Sequence, residues 1–306
     1  MSSPGFLLKG TWIQVLIITF VFTGVYFGLR FLPNAQCGFL HYEVTEVLAD
    51  GTEVCAATNH AKFIDLDQLK FPVSVELTTD DQLKAGEPVE FNIAFLDSQG
   101  DKLLPHELAI THTERIHLMI VDVSLGDYHH IHPEPMGGTG NYQFTFTPAH
   151  GGSYRFFAEI VPVRTKRQVI ASQRLTFEGN PPEPYQQTWE GSTLANSWGG
   201  YRFELIPEKS QFRKSRDNAM RLRVTREDGE EVELQEVVGA QAHLVAFDSG
   251  KSGFAHMHPY SLEPVGGLEP EIPFLFYSPK NGAHRIWAQV RLENQDVFVP
   301  FDVEVL

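Results

Sequence analysis

The sequence contains little cysteine, and this scarcity excludes several kinds of protein. Only 2 of the 306 residues are cysteine, which is too few for a disulfide-rich scaffold or for a metal site made of four cysteines. Basic residues are also outnumbered, because 24 Lys and Arg stand against 39 Asp and Glu and give a formal net charge of −15 at pH 7. A chain this acidic is poorly suited to binding a phosphate backbone, so we expect no nucleic-acid partner.

Catalytic motifs are missing as well. The sequence has neither a G-x-S-x-G nucleophile elbow nor an H-E-x-x-H zinc motif. Residues 248–252 (DSGKS) are similar to the end of a phosphate-binding loop, but Val245 occupies the place of the first glycine of that motif. Because no nucleophile and base stand in a recognisable arrangement, we expect a protein that is not an enzyme.

Short strands account for most of what is present. Proline (19 residues) and glycine (25 residues) are frequent, and apolar residues alternate with polar ones in several short segments, as is typical of strands between turns. Clear examples are residues 91–95 (FNIAF), 142–146 (YQFTF) and 274–276 (FLF). About seven such strands in about 105 residues are typical of an immunoglobulin-like β-sandwich. The sequence therefore predicts a mainly β fold.

One long apolar run lies near the N-terminus. Residues 12–29 (WIQVLIITFVFTGVYFGL) carry no charge, and a helix extended to Leu32 is long enough to cross about 30 Å of hydrocarbon. A cleaved signal peptide has a shorter apolar region, of about 7–15 residues, and a small-residue cleavage site. We therefore predict an uncleaved transmembrane helix that contacts the lipid bilayer through residues 12–32, within a tail and anchor formed by residues 1–36.

A single anchor ahead of an acidic, β-rich body favours export of that body. Lys9 and Arg30 flank the apolar run with one positive charge each, so the distribution of charge does not orient the helix. We predict a single-pass protein of the bacterial inner membrane whose body lies on the periplasmic side.

The same sequence pattern occurs twice in this body. The matching pairs are residues 117–122 (HLMIVD) with 243–248 (HLVAFD), 129–133 (HHIHP) with 255–259 (AHMHP), and 152–160 (GSYRFFAEI) with 282–290 (GAHRIWAQV). Repeats of about 105 residues are too long for solenoid units and have the size of complete domains. We call residues 71–178 the first repeat and residues 201–306 the second repeat, and we predict that each is an immunoglobulin-like domain.

The remaining segments connect these units. Residues 179–200 contain three prolines and no hydrophobic periodicity, which predicts a linker. Residues 37–70 form a smaller stem, with a predicted hairpin that turns at residues 49–51 (ADG).

Two cysteines flank the predicted hairpin of the stem. Cys37 and Cys55 each have a histidine shortly after them, His41 and His60 respectively. A disulfide between the cysteines suits an oxidising, exported compartment, and it is the interpretation we favour. The alternative is a zinc or copper site made of both cysteines and both histidines.

Histidines recur at matched positions of the two repeats. In the first repeat, a hairpin that turns at residues 124–127 would pair Val121 with His130 and Met119 with His132. His117, Met119, His130 and His132 would then share one face, where three imidazoles and a thioether can converge on copper or zinc. The corresponding residues of the second repeat are His243, Val245, His256 and His258. The alternative is that these histidines are structural and bind backbone carbonyls or carboxylates.

The pattern of His-Leu on one strand and His-x-His-Pro on the next resembles bacterial membrane-anchored extracytoplasmic modules of the YtkA-like and copper-resistance type. The resemblance covers the two repeats but not the anchor or the stem. It implies an exported immunoglobulin-like β-sandwich, for which copper handling is one expected role.

Two functions are compatible with these features. The first is a non-catalytic accessory or scaffold subunit of a larger membrane complex, photosynthetic or respiratory, whose partners are integral membrane subunits. Its candidate contact residues are the linker aromatics Tyr185, Trp189 and Trp198, because tyrosine and tryptophan are enriched at binding hot spots. They would alternatively cover the seam between the two domains. The second function is a periplasmic copper- or zinc-binding protein that uses the paired histidine hairpins.

Overall fold

The computed structural model describes residues 5–30, 45–47, 53–55, 62–185, 193–261 and 265–306. The described chain is mainly β, as predicted. Its elements are the helix α1 (Gly5–Arg30), the 3-10 turn Pro105–Glu107, and the strands β1 (Thr45–Val47), β2 (Glu53–Cys55), β3 (Ile64–Asp65), β4 (Ser74–Thr78), β5 (Val89–Leu96), β6 (Ile116–Asp122), β7 (Tyr128–Ile131), β8 (Glu134–Pro135), β9 (Asn141–Phe146), β10 (Gly152–Ile160), β11 (Val169–Phe177), β12 (Ala195–Trp198), β13 (Tyr201–Pro207), β14 (Asp217–Arg226), β15 (Ala242–Asp248), β16 (Gly253–Met257), β17 (Glu271–Tyr277), β18 (Gly282–Leu292) and β19 (Gln295–Val305).

Helix α1 contains the apolar run near the N-terminus and belongs to the structural unit Met1–Leu40. Its described side chains are exposed, and Phe20 is 80% exposed. Within the described part of the chain, no helix combines the length and the apolar character needed to cross a membrane. The structure therefore confirms a helix here but does not support the prediction that it spans a membrane.

The first repeat has two four-stranded sheets around one hydrophobic core. The outer sheet has the strand order β4-β5-β9-β8, and the inner sheet has the order β11-β10-β6-β7. Alternate residues of β5 and β9 enter the core, where Phe91 stacks on Phe144 with ring centres 5.2 Å apart. The period-2 pattern of these strands thus places their aromatic side chains on the face that meets the inner sheet.

The second repeat has the same layered arrangement. Its outer sheet has the order β12-β13-β14-β17, and its inner sheet has the order β19-β18-β15-β16-β3. Phe203, Leu222 and Phe274 of the outer sheet lie in one core with Leu244 and Ile286 of the inner sheet. Both repeats are therefore β-sandwich-like.

The two inner sheets pack against each other in the single structural unit His41–Leu306. Every residue of β6 and of β15 is buried, so both faces of each inner sheet are covered. Tyr128 of the first repeat stacks on Trp287 of the second, and Phe157 of the first packs on Phe254 of the second, with ring centres 5.6 and 5.3 Å apart. We call this contact between the inner sheets the seam.

Hydrogen bonds close the seam in a nearly two-fold pattern. Arg155 of β10 donates to the Lys251 carbonyl, and the matched Arg285 of β18 donates to the Leu125 carbonyl at 3.4 Å. Leu125 and Lys251 stand at equivalent hairpin turns, where φ is 54° and 53°. The repeated sequence therefore forms a repeated contact, in which each repeat binds a turn of the other.

Two segments outside the repeats differ from expectation. Residues 195–198 of the predicted linker form strand β12, which pairs with β13 and adds one strand to the outer sheet of the second repeat. Residues 64–65 of the predicted stem form β3 at the edge of the inner sheet of the second repeat. The predicted hairpin of the stem is present as the pairing of β1 with β2. Its proposed disulfide lies outside the described residues, since Cys37 is not among them.

Tyr154 holds the turn that precedes β7, the strand that carries the predicted metal ligand His130 and ends one residue before His132. Its hydroxyl donates to the carboxylate of Asp127 at 2.6 Å and accepts from the backbone N–H of His150 at 3.0 Å. Both Tyr154 and Asp127 are buried.

We predict that Tyr154→Phe lowers the free energy of unfolding by about 1.5–3 kcal/mol, because it removes a buried hydrogen bond to a charged group. Chemical denaturation of the variant and the wild type measures the difference. Tyr142→Phe is the matched control, since the Tyr142 hydroxyl donates to an uncharged carbonyl at 3.3 Å, and its expected cost is about 0.5–1.5 kcal/mol. Equal costs for the two variants would contradict the role of Asp127.

Candidate metal centre

The six histidines predicted as metal ligands meet at the seam in one cluster. In the first repeat, the rings of His117, His130 and His132 have centres 4.6–5.4 Å apart. In the second repeat, the rings of His243, His256 and His258 have centres 4.4–5.6 Å apart. The two trios also touch, because His256 lies 5.2 Å from both His117 and His130. The sequence predicted one histidine group in each repeat, whereas the structure joins the groups.

The predicted pairing of β6 with β7 is wrong by two residues. Met119 faces His130 and Val121 faces Tyr128, whereas the prediction placed Val121 opposite His130. The turn begins one residue earlier than expected because the Asp122 carboxylate accepts the backbone N–H groups of Gly126 and Asp127 at 3.0 and 3.2 Å. A shift of two residues keeps every side chain on its predicted face, so the shared face of the ligands is unchanged.

His117 is fixed by a tight turn that precedes β6. Its Nε2–H donates to the Thr111 carbonyl at 2.9 Å. Thr111 and Glu114 exchange two backbone hydrogen bonds, and the residues between them, His112 and Thr113, have φ values of 48° and 71°. Positive φ at both central residues is typical of the tightest hairpin turns. Because a carbonyl only accepts, Nε2 carries the proton of His117 and Nδ1 is left with a free lone pair.

His130 is fixed by a residue of the other repeat. Its Nδ1 lies 2.8 Å from Oε1 of Gln289 on β18. The amide of Gln289 is oriented by its Nε2, which donates to the Asp296 carboxylate at 3.3 Å, so Oε1 faces the histidine as an acceptor. Nδ1 therefore carries the proton of His130, and Nε2 is left with a free lone pair.

These two lone pairs point at each other. Nδ1 of His117 lies 3.2 Å from Nε2 of His130, and neither atom has a proton to donate in the arrangement that satisfies Thr111 and Gln289. Two buried acceptors at this distance repel each other unless a cation lies between them. Nitrogen ligands of a tetrahedral zinc ion, at metal–nitrogen distances of about 2.0–2.1 Å, are about 3.3 Å apart. The observed separation is that of two ligands of one ion.

His256 supplies a third nitrogen from the second repeat. Its Nδ1 lies 3.2 Å from the carboxylate of Glu159 in the first repeat, and its buried Nε2 has no hydrogen-bond partner among the described residues. Such a carboxylate–histidine pair orients an imidazole and increases its basicity as a metal ligand. The ligand atoms of His117, His130 and His256 all lie within 4.8 Å of one another.

Burial keeps these imidazoles neutral, which is the state that binds metal. Desolvation holds the pKa values of His117 and His130 well below the ordinary histidine value, with a further lowering from neighbouring histidines. Desolvation also lowers the pKa of His256 to about 3. Burial acts in the opposite direction on Glu159 and raises its pKa. Neutral imidazoles do not need to lose a proton before they bind an ion.

The other predicted ligands surround these three. Nε2 of His132 and of His258 is buried without a partner in the described part of the chain, as are both ring nitrogens of His243. Met119 is fully buried directly opposite His130, and Val245 occupies the matched position opposite His256. The ring of His112, which was not predicted as a ligand, stacks on His258 with centres 3.5 Å apart.

Glu159, Gln289 and Thr111 were not predicted as site residues. The sequence did carry a signal for the first two, because Glu159 and Gln289 are matched positions in the otherwise apolar segments 156–160 (FFAEI) and 286–290 (IWAQV). Polar residues in such strands need internal partners. No local pattern indicated the Thr111 carbonyl, since its role depends on the turn at residues 111–114.

The linker aromatics are placed differently from one another. Tyr185 joins the two repeats: its backbone N–H donates to the Val123 carbonyl at 3.0 Å and its hydroxyl donates to Asp302 at 3.0 Å. Tyr185 therefore makes the seam contact that was the alternative to a partner contact. Trp198 is 40% exposed on β12, and Trp189 lies outside the described residues.

Comparison with solved structures gives only distant similarities. A DUF4785 family protein from Legionella pneumophila has 10% identity and a TM-score of 0.27, and the match covers 78% of this chain and 58% of that one. The native conformation of Escherichia coli α2-macroglobulin has 12% identity and a TM-score of 0.23, with coverage of 76% and 17%. Fibronectin(III)-like modules of Clostridium thermocellum CbhA have 11% identity and a TM-score of 0.20, with coverage of 76% and 93%. These scores are too low to support a functional argument.

Sequence comparison identifies a family. No curated protein matches this chain. A family model described as a domain of unknown function, DUF8832, matches it twice, over residues 70–175 and residues 196–306. Because these matches cover more than half of the 306 residues, the chain belongs to the DUF8832 family.

Proposed function

We propose that the protein binds a transition-metal ion, copper or zinc, at the seam between its two repeats. The ion is held by Nδ1 of His117, Nε2 of His130 and Nε2 of His256, so both repeats contribute ligands. The observation that carries this proposal is the pair of unprotonated nitrogens of His117 and His130, 3.2 Å apart in a buried site.

The chemistry of the donors supports these two metals. Imidazole nitrogen suits zinc and copper, whereas calcium and magnesium prefer oxygen ligands. Met119 favours copper, because a thioether is a soft ligand and directly opposed residues such as Met119 and His130 have Cβ atoms about 5 Å apart. The Glu159 carboxylate offsets one unit of the positive charge of the ion, which lowers the cost of burying it.

We predict that His130→Ala abolishes stoichiometric metal binding by the full-length protein. The test loads purified protein with copper or zinc, removes unbound ions by desalting, and counts retained ions by elemental analysis. His129→Ala is the matched control: His129 is the neighbouring residue on the opposite face of β7, where it contacts Asp127 at 2.9 Å. It should retain the ion.

Circular dichroism shows whether both variants keep the β fold. If the wild-type protein retains neither metal after loading and desalting, the proposal fails and the histidines are structural.

We predict that Glu159→Gln weakens metal binding by about 10–100-fold, the usual effect of removing a partner that supports a ligand. The change keeps the size of the side chain and removes its charge. Competition with a chelator of known affinity measures the result.

The repeat supplies a reciprocal variant. Gln289→Glu places a carboxylate beside His130, which is the residue of the first repeat that matches His256. As a single substitution, it should strengthen metal binding. The double variant Glu159→Gln/Gln289→Glu moves the carboxylate from His256 to His130 without removing it. Its affinity for the metal should therefore be close to that of the wild type and higher than that of Glu159→Gln. Equal affinities for all four proteins would show that the carboxylate does not support the ion.

A second proposal is that the protein is a non-catalytic accessory subunit of a larger membrane complex, with two immunoglobulin-like domains on the periplasmic side. Support comes from helix α1, whose large apolar side chains between residues 12 and 28, Trp12 and Phe22 among them, are exposed. Continuous exposed apolar surface is typical of contact sites. Apolar subunits of such a complex, or lipid, would cover it.

For this second proposal, we expect the full-length protein to co-purify in fixed stoichiometry with integral membrane subunits from gently solubilised native membranes. Size-exclusion chromatography with mass spectrometry is the measurement. Migration of the protein alone as a monomer would contradict the accessory role and leave metal binding as the function.

A further inference from the structure

His243 is buried, and the part of the chain that the structure describes gives its ring no hydrogen bond. It is 1% exposed, and neither Nδ1 nor Nε2 has a partner among the described residues. A neutral imidazole has one N–H to donate and one lone pair to accept with, so burial leaves both unsatisfied. Buried polar groups of native proteins are rarely left in this state.

The lack of hydrogen bonds at His243 contrasts with its matched residue in the first repeat, His117. His117, at the same position of the first repeat, donates to the Thr111 carbonyl. The second repeat has an equivalent turn at residues 237–240, where Val237 and Ala240 exchange backbone hydrogen bonds of 2.7 and 3.2 Å. This turn nevertheless gives His243 no bond. His243 therefore occupies the position that matches the proposed ligand His117, but it lacks the contact with a backbone carbonyl that orients His117.

The ring of His243 also lies close to the proposed ion site. Its centre is 5.6 Å from the ring of His256 and 6.1 Å from the ring of His130. The three proposed ligands are separated by 5.2–5.4 Å. Four imidazoles on one tetrahedral ion have ring centres about 5 Å apart, since each centre lies roughly 1 Å beyond a nitrogen that is about 2 Å from the metal.

The repeated architecture gives a reason for a set of four. His117 and His243 are matched positions, and so are His130 and His256. These four histidines are at most 8% exposed, whereas the third matched pair, His132 and His258, is only partly buried. An ion placed between two repeats in a nearly two-fold arrangement takes equivalent ligands from each of them.

We infer that His243 is the fourth ligand of the ion, which is thus enclosed by four histidines, two from each repeat. This inference rests on the proposed metal binding and specifies its coordination. Structural zinc sites have four protein ligands, whereas catalytic sites keep one position for water or substrate. The ion therefore has a structural role: it links the two repeats and has no open coordination position for a substrate.

Cobalt(II) bound to the full-length protein tests this geometry. Tetrahedral cobalt(II) absorbs visible light much more strongly than six-coordinate cobalt(II), so the spectrum reports the number of ligands. We expect one ion per chain with strong, tetrahedral absorption. In His243→Phe, we expect weaker absorption and at least about tenfold weaker binding, because a direct ligand contributes no less than a supporting residue.

His258→Phe is the matched control. His258 belongs to the same repeat and lies beside His243 with ring centres 4.8 Å apart, and its buried Nε2 also has no partner within the described ranges. Its replacement should leave the stoichiometry and the spectrum of cobalt unchanged. Thermal melting of the metal-free proteins shows whether each variant folds, and His243→Phe loses no hydrogen bond in this state.

His243→Cys gives a direct readout that a structural role would not produce. A thiolate bound to cobalt(II) adds a near-ultraviolet charge-transfer band, which we expect in this variant and not in His258→Cys. Absence of the band in a folded, cobalt-loaded His243→Cys protein overturns the inference, as does a His243→Phe protein with wild-type affinity and spectrum. Two ions per chain would also overturn it. Failure of the wild type to bind cobalt, copper or zinc is a different result, which refutes the proposed function itself.

Discussion

Burial of both faces of each inner sheet is the constraint on which the rest of the structure depends. In both β6 and β15, one face meets the outer sheet of the same repeat and the other face meets the opposite repeat, so every residue of these strands is buried. Polar side chains on the face at the seam have no water to bind and must find partners across it. Arg155, Arg285 and Gln289 do so through hydrogen bonds to the opposite repeat. At the centre of the seam, several ring nitrogens of the histidines have no hydrogen-bond partner among the described residues.

This shortage connects the fold with the proposed ion. A mainly apolar seam would close more cheaply with aliphatic side chains, because they need no hydrogen bonds. The cluster at residues 117, 130, 243 and 256 instead brings together several unsatisfied nitrogens at distances suited to one cation. Binding to the folded state alone would stabilise that state, and ligands from both repeats would make the contact between the repeats depend on the ion.

The two repeats are similar in backbone and different in charge. Glu159 supports His256, whereas the matched Gln289 supports His130. Thr111 anchors His117 through its carbonyl, whereas the equivalent turn at Val237 does not bind His243. Met119 is replaced by Val245 at the matched position. The charged partner therefore supports His256, the carbonyl anchor supports His117, and the neutral amide supports His130, so each support can be altered separately.

The sequence by itself determined the mainly β fold, the duplicated pattern and the face on which each histidine stands. These properties follow from the period of two along a strand, which local sequence reveals and which even a two-residue error in the β6–β7 pairing does not disturb. Only the tertiary structure decided that the two histidine groups form one cluster, and that Glu159 and Gln289 act across the seam. Contacts between residues as distant in sequence as His130 and Gln289 arise when two completed sheets pack together. No local periodicity records which sheet faces will meet.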